Sequence, residues 1–143
     1  MKTIRYNWSP RNPIHNSSDT STEGIRVQVR SYFVPDRSVP HLNAFFFVYR
    51  IKITNDGTAR TRLRTRHWVI TDGNGLVQNV RGEGVVGETP DLEPGQVFEY
   101  TSACPLSTRI GFMRGSYRMV REDGSEFDAR IDEFALFPPG IPN

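Results

Sequence analysis

Three glycines within residues 82–87 have the spacing Gly-x-Gly-x-x-Gly, with which dinucleotide-binding proteins hold a pyrophosphate group. That chemistry needs a helix that begins at the glycines, because its free backbone N–H groups then point at the anion. Pro94 would fall inside such a helix, where it lacks an N–H and its ring clashes with the preceding turn. An anion site here would instead need a nest of backbone N–H groups, with Arg81 supplying positive charge. The candidate ligand-binding residues are Arg81, Gly82, Gly84 and Gly87.

Acidic residues around these glycines weaken the case for a phosphate ligand. Four carboxylates lie in or just after the motif and would repel it: Glu83, Glu88, Asp91 and Glu93. Glycine also permits a positive φ or a close backbone approach, which strand connections need. The residues therefore favour a structural, glycine-hinged connection over an anion site.

Arginines at every second position from 60 to 66 form a second candidate site. In an unbroken strand this spacing places them on one face, where they could dock an acidic surface or form a solvated face. The solvated face is the favoured interpretation. Trp68 continues the same parity, so we expect Arg66 at the rim of the core, and Glu126 and Asp128 are possible ion partners. The candidate interaction residues are Arg60, Arg62 and Arg64.

Residues for catalysis or metal binding are sparse. Cys104 is the only cysteine and reads as a small strand residue, and the three histidines are scattered. Nothing in the sequence brings His67, Asp72 and Ser102 together as a triad. We therefore expect no catalytic residues, no metal and no cofactor, and a protein that is not an enzyme.

Composition narrows the class of partner. The chain has 143 residues and a formal charge of +2, too small to predict nucleic-acid binding. No apolar run approaches the roughly 18 residues that a membrane-spanning helix needs. A cytoplasmic protein without membrane insertion is the expectation.

The hydrophobic pattern alternates with a period of two through most of the chain, as in β-strands. Phe45, Phe47 and Tyr49 lie on one face of such a run, and Trp68 is expected as a core anchor. A change of parity in the last strand predicts a bulge near Asp132. The predicted strands are 25–32, 43–54, 58–71, 76–81, 96–103, 116–121 and 125–137.

These strands predict an all-β fold, an antiparallel β-sandwich of about seven to eight strands. Turn sequences at 55–57, 72–75 and 122–124 predict hairpins. Residues 105–111 are predicted to form a connection or a short edge strand. Residues 1–22 are polar and contain prolines, so we expect a flexible N-terminal tail or a loosely docked arm, then a domain at 23–137 and a C-terminal tail at 138–143.

Several motifs in this order resemble the ApaG family. They include Arg66-His67-Trp68, the glycine motif followed by two prolines, Phe98-Glu99-Tyr100, and the stretch from Phe127 to Leu136. The resemblance covers about residues 23–137. The resemblance implies a fibronectin-III-like sandwich. The name of the family has been linked to cobalt and magnesium resistance, and its biochemical activity is not settled.

We expect a non-catalytic interaction module that binds another protein, since sandwiches expose edges to which partners add a strand. A homodimer through a sheet edge is one form of this. The alternatives are a nucleotide or pyrophosphate binder that uses the glycine motif, and a protein linked to cobalt or magnesium homeostasis.

Overall fold

A computed structural model describes residues 14–140, which form nine β-strands and two short 3-10 turns. No helix among these residues is long and apolar enough to cross a membrane. The strands are β1 Ser17–Thr22, β2 Ile25–Phe33, β3 Phe45–Asn55, β4 Thr61–Asp72, β5 Val77–Glu83, β6 Asp91–Leu92, β7 Val97–Leu106, β8 Gly111–Arg121 and β9 Glu126–Leu136.

The strands form two antiparallel sheets packed face to face, so the predicted sandwich is confirmed. The first sheet has the order β1-β2-β3-β7, and the second has the order β5-β4-β8-β9, with β6 pairing with β4. The second order is that of the C′-C-F-G sheet in immunoglobulin-type sandwiches.

The core lies between the sheets and follows the alternation of the sequence. Phe47 and Trp68 are buried, as expected from their strands. The Trp68 ring meets the rings of Tyr49, Tyr117 and Phe134 edge to face, with centroids 5.3, 6.5 and 6.0 Å away. These contacts join both sheets through one aromatic cluster.

A β-bulge at Arg64 changes the expected path of β4. The register with β8 shifts between Leu63 and Thr65, so Leu63 and Trp68 both face the core despite their opposite parity. The expectation of an unbroken strand was wrong. Arg66 follows the bulge and lies on the inner face, partly buried.

The last strand contains the expected bulge. Its pairing with β8 shifts between Met113 and Gly115, where Arg114 faces both Asp132 and Glu133. Both halves of β9 can therefore bury their apolar side chains.

The prediction of a flexible tail over residues 1–22 was wrong for Ser17–Thr22, which form β1 and pair with β2. Glu23 and Gly24 link the two strands with φ of 47° and 88°, the positive values of a type I′ hairpin. Residues 1–13 and 141–143 lie outside the described part of the chain. Pro138, predicted to begin a C-terminal tail, is buried.

The turn at 55–57 is not a hairpin, because β3 and β4 belong to different sheets. Asn55 is buried here, and its side-chain amide donates to the carbonyls of Ala59 and Leu92 at 2.9 Å each. The Asn55 side chain, rather than hydrogen bonds between paired strands, thus holds the connection by which the chain crosses from the first sheet to the second. The hairpins at 72–75 and 122–124 are confirmed.

Strand β8 begins at Gly111, inside the predicted connection at 105–111. Gly111 and Gly115 interrupt the alternation of apolar and polar residues by which β8 could be recognised in the sequence. A Cβ at Gly115 would lie 2.0 Å from the carbonyl oxygen of His67 on β4, so the close approach of the two backbones requires glycine.

The two long sides of the sandwich differ. On one side β1 and β9 are joined, since Ala135 N donates to the His15 carbonyl at 2.7 Å and Arg130 N donates to Thr22 Oγ1 at 3.1 Å. On the other side, β5 and β7 are the terminal strands of their sheets. Among residues 14–140, that second side leaves two sheet edges without a further strand neighbour.

Candidate functional site

The glycine motif forms the end of β5 and a tight hairpin turn. Val85 and Glu88 exchange two backbone hydrogen bonds of 2.8 and 2.9 Å around Val86 and Gly87. Both central residues have positive φ, 45° and 81°, as a type I′ turn requires. Gly84 precedes this turn with φ of 62° and is buried.

Three backbone N–H groups of the motif and its turn are engaged within the protein. Gly84 N donates to the Arg64 carbonyl at 2.8 Å, and Val85 and Glu88 bond each other. A nest for an anion needs such N–H groups free to converge on it. The motif therefore offers fewer free donors than the sequence suggested.

Arg66 holds the motif in place. Its Nη1 donates to the carbonyls of Glu83 and Gly84, at 2.9 Å each. Its guanidinium also lies over Gly82, where a Cβ would come within 2.7 Å of Nη2. Backbone conformation and close packing thus account for Gly82, Gly84 and Gly87 without a ligand, and anion binding with the exposed Arg81 stays a prediction.

The candidate interaction residues Arg60, Arg62 and Arg64 are exposed, and each has a carboxylate partner. Arg60 and Arg62 both approach Asp91, with nitrogen to Oδ2 distances of 2.8 and 3.1 Å, and Arg64 approaches Glu126 at 3.1 Å. The hydrogen bond from Arg60 is the main reason that the pKa of Asp91 is lowered. Of the two acids expected as partners, Glu126 pairs with Arg64, whereas Asp128 pairs with Arg118.

The three residues that could have formed a triad have separate roles. His67 Nε2 lies 2.8 Å from Asn79 Oδ1, across β4 and β5. Asp72 Oδ1 accepts from the N–H groups of Asn74 and Leu76 and caps the hairpin turn. Ser102 belongs to β7 of the other sheet.

Buried hydroxyl groups form a polar spot within the core. The Tyr100 and Tyr117 hydroxyls lie 2.5 Å apart, and burial raises the pKa of both phenols. Cys104 is buried in β7, as its sequence context indicated, and burial raises its pKa to about 11. Among residues 14–140 no group of three or more His, Cys, Asp and Glu side chains could hold a metal ion.

The outer face of the first sheet carries a groove of about 550 Å³, which we call the first-sheet groove. It crosses β1, β2, β3 and β7, and its cations are Arg30, Arg50 and Lys52. Sequence reasoning missed it, because only the strand register places Arg30 directly opposite Arg50. From the sequence, the alternation pattern indicates only that each of these cations lies on the outer face of its own strand.

The outer edge of β7 is a second feature that sequence reasoning did not locate. Asn55 N donates to the Gln96 carbonyl at 3.0 Å, which sets the phase of the ladder between β3 and β7. Bonded and non-bonded pairs alternate in antiparallel strands. The register therefore turns the N–H groups of four residues away from β3, namely Val97, Glu99, Thr101 and Ala103.

Pro105 has the same outward phase as these four residues, so its missing N–H removes no bond to β3. Within residues 14–140, β7 has a strand neighbour on one side only. A groove of about 320 Å³ adjoins its far end and includes Phe45, Phe46 and Leu106 in its lining. We call the four outward N–H positions of β7 the β7 edge.

The two sheets and their order define a small antiparallel β-sandwich of the immunoglobulin type. A family model described as the ApaG domain matches residues 35–121, so the chain belongs to the ApaG family.

Relatives and solved structures agree with this assignment. A protein named Protein ApaG from Anaeromyxobacter dehalogenans strain 2CP-C is 53% identical over 126 residues, which is 88% of this chain and 99% of that protein. Another from Afipia carboxidovorans is 54% identical over 120 residues, 84% of this chain and 92% of that protein. A crystal structure of an ApaA protein from Bordetella pertussis has a TM-score of 0.79 and 45% identity, and covers 90% of this chain and 100% of that one.

Proposed function

We propose that this ApaG protein is a non-catalytic binding module whose partner is another protein, and that the partner adds a β-strand to the β7 edge. The observation that carries the proposal is the outward phase of four N–H groups along one terminal strand. Strand addition uses such main-chain groups for affinity, and neighbouring pockets for specificity.

The length and charge of β7 support this choice of edge. The strand has ten residues, whereas β5, the terminal strand of the second sheet on the same side, has seven. Natural proteins protect sheet edges with charges, prolines and short strands. Along β7 the only charged residue is Glu99, and Pro105 lies near its end. On β5 the charged Arg81 and Glu83 lie at outward positions, so that edge is better protected.

The adjoining groove supports a peptide partner. Its lining combines the aromatic rings of Phe45 and Phe46 with Pro105 and Leu106. Arg37 lies over the Phe46 ring, with Cζ 4.2 Å from the centroid. A strand on β7 would extend toward this groove and could place an apolar side chain in it.

The test is affinity capture from an extract of the source cells with Thr101→Pro as the bait. Proline removes an outward N–H but no bond to β3, since edge strands tolerate it at such positions. The matched controls are Thr101→Val, which keeps the N–H, and Val77→Pro, which makes the same change on β5. All three baits must first show a cooperative unfolding transition.

We expect the wild-type, Thr101→Val and Val77→Pro baits to capture the same protein. The Thr101→Pro bait should fail to capture it. Light scattering of the purified bait distinguishes a second copy from a different partner. Equal capture by wild type and Thr101→Pro would contradict the proposal, and so would the absence of any captured protein.

A further inference from the structure

The first-sheet groove holds positive charge that the protein does not neutralise. In the register Arg30 lies directly opposite Arg50, and Lys52 follows two residues along β3 on the same face. Like charges directly opposite on neighbouring strands are destabilising. A fold without a use for this arrangement would gain stability by separating or pairing them.

Carboxylates in the groove compensate only part of this charge. Glu99 lies 3.5 Å from Arg50, and Asp19 is held by Arg26 at 2.6 Å. Among residues 14–140 no carboxylate oxygen lies within 4.0 Å of a side-chain nitrogen of Arg30 or Lys52. Two positive charges are therefore left without an ion partner in the described part of the chain.

On the second sheet some exposed arginines have carboxylate partners, whereas Arg81 and Arg114 have no ion pair within residues 14–140. Arg118 lies between Glu126 and Asp128, at 3.0 and 3.2 Å, and Arg130 lies 2.9 Å from Asp132. The first-sheet groove differs in that its cations are clustered, with Arg30 directly opposite Arg50 and Lys52 on the same face, and one bound anion would neutralise them together.

Donor types in the groove indicate the chemistry of that ligand. A guanidinium donates paired N–H groups that match the oxygens of a carboxylate or a phosphate. Ser17 lies opposite Arg30 in the ladder, and Tyr32 follows Arg30 on the same face, so two hydroxyl donors lie beside the cations. A phosphate dianion carries the charge of minus two and the several acceptor oxygens that this set can satisfy.

We propose that the first-sheet groove is a binding site for a phosphate dianion, either inorganic phosphate or the phosphate group of a small ester. Asp19 and Glu99 line the groove together with the cations and would repel an extended polyanion. A compact dianion can contact Arg30 and Lys52, whereas Asp19 and Glu99 already have Arg26 and Arg50 as ion partners. The site uses side chains on the sheet face, so it is separate from strand addition at the β7 edge.

The test is a titration of the full chain with sodium phosphate, followed by amide and side-chain NMR shifts at constant ionic strength. We expect saturable shifts at Arg30, Arg50 and Lys52, and none with sodium chloride. The variants Arg30→Gln and Lys52→Gln should each weaken binding by about tenfold or more, because charge-assisted hydrogen bonds are lost. The matched control, Arg62→Gln on the second sheet, should bind within about twofold of wild type.

A second titration with glycerol phosphate distinguishes the sources of the dianion. Saturation by both compounds assigns the site to the phosphate group alone, and saturation by the ester only assigns it to phosphate esters. Thermal unfolding is an independent measurement, because phosphate should stabilise wild type more than Arg30→Gln.

Two results would overturn the proposal. One is unchanged phosphate binding in Arg30→Gln. The other is saturation of the groove by an oligoglutamate peptide with no response to either phosphate compound, which would assign it to an acidic protein segment.

Discussion

Replacing Gly84 by alanine is expected to cost much more stability than replacing Gly87, although both have positive φ. An alanine in this region costs about 1 kcal/mol relative to glycine. At Gly87 nothing lies within 4 Å of the added Cβ, so that cost stands alone. At Gly84 the Cβ would lie 2.2 Å from the Glu88 carbonyl oxygen. Overpacking of this kind adds about 1–3 kcal/mol, for a total of about 2–4 kcal/mol.

Urea unfolding followed by tryptophan fluorescence measures both variants, because Trp68 is buried. A further variant, Gly75→Ala, is the control, since Gly75 has φ of 85° and open space around its Cβ position. It should behave like Gly87→Ala. A change in midpoint with a constant slope shows a change in stability. Equal losses for Gly84→Ala and Gly87→Ala, within about 0.5 kcal/mol, would refute the reasoning.

Three other predictions follow from local geometry. The variant Val86→Asn should stabilise the protein by about 1 kcal/mol in the same urea assay, since a β-branched residue is strained at φ of 45° and asparagine is not; an unchanged midpoint would contradict this. Burial raises the pKa of Tyr100 and Tyr117 above the unfolded value of about 10, so unfolded chains release these protons first and stability should fall as the pH rises above 10. A flat stability curve between pH 9 and 12 would be inconsistent with these buried phenols. The Cys104 thiol, with a pKa of about 11, should react with a thiol reagent at neutral pH at a rate that rises with denaturant, and a fast, denaturant-independent reaction would show that it is accessible.

The strands that alternate without interruption could be predicted from sequence. Phe47 and Ile51 have clear parity on β3, and both are buried. Where a bulge intervenes, the alternation fails. The bulge at Arg64 adds one residue to β4, so inward-facing side chains change from odd to even positions. No local feature of the sequence indicates this bulge. The bulge near Asp132 was predictable because apolar residues of opposite parity lie on both sides of it.

Connections were harder to predict than strands. The turn at Asn55 has the composition of a hairpin, but its side chain bonds Leu92, which is distant in sequence, and the chain crosses to the other sheet. The short polar strand Ser17–Thr22 has no apolar alternation, because it pairs at the margin of the core. In both cases tertiary contacts, which a local pattern does not contain, decide the outcome.

The candidate sites show the same limit. The glycine motif was predicted as a structural connection, and the contacts of Gly82 and Gly84 account for it in that way. Arg66, which clamps the motif, was recognised as an arginine at the rim but not in this role. The first-sheet groove combines Arg30 with Arg50, which are neighbours only through the register of β2 and β3. The alternation of a sequence predicts on which face of a strand each residue lies. Only the register between strands shows which of these residues are neighbours.

Residue-resolved amide hydrogen exchange tests the central claim, strand addition at the β7 edge, most directly. In the free protein the amides of Phe98, Tyr100 and Ser102 face β3 and should exchange slowly, whereas those of Glu99 and Thr101 face outward and should exchange fast. Addition of the captured partner should slow amide exchange at Glu99 and Thr101 to the exchange rates of Phe98, Tyr100 and Ser102. Outward amides that are already slow in the free protein, or that stay fast in the complex, would contradict the account.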